Sequence, residues 1–432
     1  MIPLRKRKML LKAVMGVAWL IGASEPIRTW TDVQGRMITA TLIEPAPEQV
    51  KVRMPNGAEF TIPLERLVES DRQYVLRRMR EMMDAGQMAK IRIPPSQRVW
   101  PQSVGISATS VEVSVVEEDM DQRRFVYRTQ DFEFISDERL ARSVMTEVAR
   151  TFEGTRMLLL ELPWGLRVQP PAGHEWFRAM LFETREAYIG AGAPANSGGV
   201  YMTGPKIFMV PFESLGLRRR ARTWYLERNF SHHTLIHEIT HQLMDEVLPA
   251  LPLWVIEGTA EYVSHLPFNA GTFRAHEHQR ALRAAIDERQ RRGHRIRIDG
   301  LESFMRMTPR QWHEIANRSS EDQSYLYTVS LLLVYYFNHL DGDRHGTRFL
   351  QFMDAVHDDV DRRNKILSDP QVERLPNGGW RGPAGFMPAE LAFDRMPFNH
   401  IGLLVDGRSF EQLANEIETA FRGIGIRMSV KP

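Results

Sequence analysis

Two apolar periods divide this chain. Between residues 27 and 76, short runs around 37–42, 49–54 and 59–62 alternate apolar with polar positions, the period of strands buried on one face. Pro55-Asn56-Gly57 sits between the second and third runs and reads as a hairpin turn. Ser70-Asp71 then caps a helix directed towards residue 83. Residues 85–99, which include Pro94-Pro95-Ser96, follow neither period and read as a linker. Strand-like runs return at 111–116 and 125–134, followed by a helix from 136 or 137 to 152. Further strands within 176–211 flank a Gly/Ala/Pro/Asn/Ser loop at 191–199, and either 199–201 or 206–210 is expected at the sheet edge.

From about residue 231 the period lengthens to that of a helix. Leu235, Ile236, Ile239, Leu243 and Val247 form one apolar stripe. A second helical segment lies between Pro252 and Pro267, with Val255, Ile256, Thr259 and Val263 as its buried face. The remainder is mostly helical: an exposed charged helix at 274–292, a long apolar one at 325–340, a Pro- and Gly-rich excursion at 370–397 and an amphipathic helix at 410–421. The pattern predicts an α+β protein in which a small β-rich module precedes a larger unit.

The polar face of the first of these helices carries His237-Glu238-Ile239-Thr240-His241. Residues four apart on a helix differ by roughly 40° in azimuth, so His237 and His241 can bind one metal ion, while Glu238, about 100° from His237, flanks that ion as a general base. A catalytic zinc site takes three protein ligands and keeps one position open. Glu257 is assigned as the third ligand. Glu261, one turn further on, is assigned as the carboxylate that hydrogen-bonds a ligand imidazole, His237, and fixes its tautomer. His232 and His233 read as cap or surface residues, and His265, which closes the second helical segment and could approach the site, reads as structural. His313-Glu314-Ile315-Ala316-Asn317 begins like the motif but ends in Asn, and reads as an ordinary helix.

The string HEITH, followed after fifteen residues by Glu257-Gly258-Thr259-Ala260-Glu261-Tyr262, resembles the gluzincin zinc metallopeptidases. It is similar to the bacterial peptidase MA-like proteins and, more distantly, to the aminopeptidase N family. The resemblance implies a zincin-like fold, Zn²⁺ on His237, His241 and Glu257, and Glu238 as catalytic base. It also implies a tyrosine donor to the reaction oxyanion. Tyr327-Thr328-Val329-Ser330 fits that family's Y-x-x-G pattern with Ser in place of Gly, so Tyr327 is the candidate and Tyr325 the alternative. No G-A-M-E-N-like motif is present, so the resemblance implies no exopeptidase specificity. Arg28-Thr29-Trp30-Thr31-Asp32, Gly35-Arg36 and Ile62-Pro63-Leu64-Glu65-Arg66-Leu67 resemble the Sla-type homology domain, an SH3-like barrel whose members bind short peptides.

The domain plan that follows is a secretory signal at 1–24, with an uncleaved membrane anchor as the alternative, the SH3-like module at 25–84, the linker at 85–99, and a metallopeptidase domain at 100–432. The last is divided into a β-rich part (100–212), active-site helices (231–266) and a helical part (267–432). Arg5, Lys6, Arg7 and Lys8 followed by an apolar run and small residues at 22–24 give the signal its form. The formal net charge is +2, and removing the five positive charges of 1–24 leaves −3, a balance that gives no electrostatic reason for nucleic-acid binding. The cluster Arg218, Arg219, Arg220 and Arg222 reads as a solvated face. No cysteine is present, which excludes disulfides and thiolate ligands, so any metal is held by nitrogen and oxygen. The expectation is an exported zinc peptidase acting on a peptide or protein. Its alternatives are a zinc amidohydrolase acting on cell-wall peptide and an inactive surface-binding protein on the same scaffold.

Overall fold

In the computed structural model the described residues are 27–46, 49–68, 71–72, 74–75, 78, 94–375, 379–383 and 396–432. The signal expected at 1–24 and most of the helix expected after residue 71 lie outside them. Among the described residues no helix is long and apolar enough to cross a membrane. The fold is α+β, and the chain divides into two compact units, Met1–Lys90 and Ile91–Pro432.

The first unit is an antiparallel meander of four strands: β1 (Ile27–Thr31), β2 (Met37–Pro45), β3 (Gln49–Arg53) and β4 (Glu59–Pro63). Alternation sends Ala40, Leu42, Val50 and Val52 inward, where they pack with Trp30, Leu64 and Leu67. The Trp30 indole N–H donates to the Ala40 carbonyl at 3.0 Å, which satisfies its one polar atom inside that core. A bridge between Asp32 and Leu67 returns the end of the module to its first strand.

The second unit is built on a six-stranded sheet of β5 (Ser114–Asp119), β6 (Arg124–Arg128), β7 (Phe132–Ser136), β8 (Phe177–Phe182), β9 (Val200–Met202) and β10 (Ile207–Pro211). The spatial order is β9-β10-β8-β7-β6-β5. Strands β7, β8 and β10 run parallel, and the others pair antiparallel. Every residue of β10 is buried, because Phe208 and Val210 face the main core while Ile207 and Met209 face a smaller cluster on the other side. Strand β10 is paired on both sides, so the run 206–210 is interior, and the sheet's edges are β9 and β5. The run 125–134 is a hairpin rather than one strand, since Thr129 N–H donates to the Phe132 carbonyl and turns the chain.

The helices of eight residues or more among the described residues of this unit are α1 (Arg142–Glu161), α2 (His233–Leu243), α3 (Leu253–Ser264), α4 (His278–Arg291), α5 (Pro309–Ala316), α6 (Ser320–His339), α7 (Thr347–Leu367) and α8 (Phe410–Gly423). Helix α1 starts five or six residues later than the sequence suggests: Ser136 still belongs to β7, and the Asp137 carboxylate accepts from the Glu183 N–H instead of capping a helix. Phe152 of α1 packs edge-on against Phe132, Phe134 and Phe208. Leu235, Ile236, Ile239 and Leu243 of α2 join the same core. The sheet thus fixes one face of α2 and leaves the histidine face turned towards α3.

Candidate metal centre

Helices α2 and α3 run antiparallel, as the contacts across them require. His241 and His237 meet Glu257 at one end, His237 also meets Glu261, and His233 meets Glu261 and His265 at the other. Two stripes of one residue per turn face each other: His233, His237 and His241 on α2, and Glu257, Glu261 and His265 on α3.

The Nε2 atoms of His237 and His241 are 3.1 Å apart. Glu257 Oε2 lies 3.3 Å from the first and 3.4 Å from the second. Two ligands of one tetrahedral ion at bond lengths near 2.1 Å are about 3.4 Å apart, so the three atoms have the spacing of one face of such a ligand set. Glu257 Oε2 and His241 Nδ1 are buried and make no hydrogen bond of acceptable geometry. A buried carboxylate oxygen so placed needs a positive partner, which a bound cation or a protonated ring supplies, and the three donors fit a divalent metal ion. His237 Nδ1 is 3.0 Å from Glu261 Oε1, the contact that places the ring proton on Nδ1 and turns the Nε2 lone pair to the site.

Without a metal, the charges tie themselves together. Burial alone raises the Glu257 carboxyl, but the His241 and His237 rings outweigh it and hold it well below the usual carboxylate range. Burial opposes charge on His237, yet Glu257 and Glu261 raise its pKa well above that of a free imidazole. Glu238 is different. Burial raises its pKa and the two imidazoles only partly offset that rise, so its carboxylate holds a proton more readily than a solvated one. A backbone hydrogen bond from Tyr201 in β9 ties Glu238 to the sheet edge. A Cβ on Gly199, the residue before β9, would lie 3.5 Å from Glu238 Cγ.

Gly258 explains how α3 lies so close to α6. A Cβ there would be 2.5 Å from the Ser330 carbonyl oxygen and 2.6 Å from Val334 Cγ2. This close crossing carries Tyr327 of α6 to the site, where its ring stands edge-on to His237 with centroids 5.8 Å apart. Burial, then the charges of Glu257 and Glu238, raise the Tyr327 phenol, so it stays protonated and can donate. Tyr325, two residues earlier, turns to the other side of α6, beside Phe304 and Asp299. A cleft of about 720 Å³ opens beside the cluster, lined by Asn196, Leu253, Glu257, Trp312, Gln323 and Tyr327 among others.

The structure places the remaining histidines of these two helices. His232 is the residue before α2, at its N-cap position, and the partly exposed His233 opens the helix four residues before His237 on the same stripe. His265 is not isolated, since its Nδ1 is 3.1 Å from His233 Nε2. The i, i+4, i+8 spacing on both helices was the signal for this second cluster. The arginine cluster lies on a hairpin, where Arg218 pairs with Glu227 and Arg219 with Glu183 at the surface. No family model matches the chain, and no curated protein matches it.

Proposed function

We propose that the chain is a zinc-dependent peptidase of the gluzincin type, with a zincin-like catalytic unit preceded by an SH3-like module. The observation that carries this reading is the orphaned Glu257 Oε2 placed 3.3 and 3.4 Å from two imidazole nitrogens, with Glu238 beside them. His237, His241 and Glu257 hold the ion. When bound, zinc supplies Lewis acidity that makes water acidic near neutral pH and polarises a substrate carbonyl. Glu238 takes the proton of the attacking water and delivers it to the leaving amine nitrogen, a role suited by its raised pKa. The protonated Tyr327 hydroxyl donates to the carbonyl oxygen as negative charge develops there. Glu261 keeps His237 in the tautomer whose Nε2 can bind metal.

An extended peptide would pair with the outer edge of β9, which no other strand covers among the described residues and whose Tyr201 hydrogen-bonds Glu238. This edge favours a peptide over other amides. The four-stranded meander closed by the Asp32–Leu67 bridge supports the SH3-like reading of the first unit. The basic-then-apolar segment at 1–24 supports export. The test is cleavage of a mixture of quenched peptides by the zinc-loaded protein, before and after chelation. Chelator-sensitive cleavage at internal bonds supports an endopeptidase, and absence of cleavage across the mixture counts against peptide hydrolysis.

A further inference from the structure

The stripe of α2 and α3 does not end at the zinc ligands. One turn beyond them, His233 Nε2 and His265 Nδ1 are 3.1 Å apart, and Glu261 Oε2 lies 3.6 Å from the first and 3.4 Å from the second. This triangle has nearly the dimensions of the one formed by His237, His241 and Glu257, and both triads bring a carboxylate oxygen and two imidazole nitrogens within 4.8 Å of one another. We infer that His233, His265 and Glu261 form a second divalent-cation site, distinct from the first and joined to it through the Glu261 carboxylate. One oxygen of Glu261 serves His237 Nδ1 and the other faces the second pair of imidazoles.

The donor set selects the cation. Two imidazoles and one carboxylate, with no thiolate, suit Zn²⁺, Co²⁺ or Ni²⁺ rather than Mg²⁺ or Ca²⁺, which demand oxygen ligands. Ser264 Oγ lies 3.1 Å from His233 Nε2 and can complete the set along with water. The competing arrangement is a hydrogen-bond cluster, in which His265 Nδ1 donates to the Glu261 carbonyl at 2.9 Å and Ser264 Oγ donates to the same carbonyl at 3.0 Å. In that arrangement His265 Nδ1 carries a proton and a cation must displace it, so the second ion binds more weakly than the first. Exposure favours exchange: 38% of the His233 side chain is open to solvent, against 10% for His237.

The test is metal stoichiometry of the full chain. Stripped protein is dialysed to equilibrium against buffered free Zn²⁺, and bound metal is counted for the wild type, His265→Ala, His233→Asn and His241→Ala. The wild type is expected to bind two equivalents, and each variant one. Far-UV circular dichroism identifies any variant that fails to fold, and the two independent substitutions in the second cluster keep the comparison valid if one does. A Co²⁺ titration adds a readout: two successive d–d absorption changes in the wild type, of which the later is missing from His265→Ala and His233→Asn. This inference does not require peptidase activity. One equivalent in the wild type that survives His265→Ala and His233→Asn overturns the second site and leaves the first standing. One equivalent that survives His241→Ala but not His265→Ala overturns the first and supports the second. No bound metal in the wild type overturns both.

Discussion

Replacing Gly258 with alanine tests whether the helix crossing positions the site. The added methyl would lie 2.5 Å from the Ser330 carbonyl oxygen and 2.6 Å from Val334 Cγ2. Ordinary contact distances are about 3.5 Å, so α3 and α6 must part locally by about 1 Å. Ser330 O is backbone, and no side-chain rotation relieves the clash. Overpacking of this kind costs about 1–3 kcal/mol. The functional consequence is larger, because a shift of about 1 Å is half the length of a zinc–ligand bond. If α3 moves, Glu257 leaves its two imidazoles; if α6 moves, Tyr327 leaves His237. Gly258→Ala is therefore expected to lower the melting temperature by a few degrees and to weaken zinc binding at least 10-fold or cut turnover at least 10-fold. Thermal melts of the apo protein and zinc competition against a chromophoric chelator read the first two effects, and peptide cleavage reads the third. A variant with unchanged melting, zinc affinity and turnover refutes the claim that this contact sets the geometry.

Glu238→Gln is expected to keep zinc at wild-type stoichiometry and lose at least 10²-fold in kcat, since the amide cannot accept the proton; peptidase activity at the wild-type level contradicts the role given to Glu238. Tyr327→Phe is expected to lower kcat by about 10²–10³ with little change in KM, because its hydrogen bond strengthens only as charge develops; an effect confined to KM points to ground-state binding instead. A prediction independent of activity concerns Glu153. Burial first, then the nearby Asp131, pushes its carboxyl from the usual 4.5 up to about 8. The fold thus holds a proton that the unfolded chain releases, so this contribution to stability is fully present below about pH 4.5 and is lost as the pH rises to about 8, at up to ~1.4 kcal/mol per pH unit. Glu153→Gln should match the wild type at pH 5 and exceed it in urea unfolding at pH 9, and equal stabilities at pH 9 count against a protonated Glu153.

The parts of the site legible in the sequence were those set by helical spacing. Four-residue intervals place His237 with His241 and Glu257 with Glu261 wherever the helices go, and the apolar stripe Leu235, Ile236, Ile239 and Leu243 says which way the histidines face. The same interval relates His233 to His237 and Glu261 to His265, so the second cluster was present in the spacing but hidden by its position at the helix ends. Tyr327 and Tyr325 are two residues apart and face opposite sides of α6; choosing between them required knowing where α6 crosses α3, which is a tertiary fact carried by Gly258. Strand order was not legible for a related reason. The run 206–210 has the look of any strand, and only pairing on both sides makes it interior and leaves β9 at the edge. The start of α1 was misplaced because Ser136 and Asp137 are good cap residues by type, whereas Asp137 is committed to the Glu183 N–H.

The most direct measurement is anomalous diffraction at the zinc edge from crystals of the zinc-loaded protein. Of the two peaks expected, the stronger lies about 2.1 Å from His237 Nε2, His241 Nε2 and a Glu257 oxygen together. No anomalous peak among these three atoms, at full zinc loading, would contradict the account.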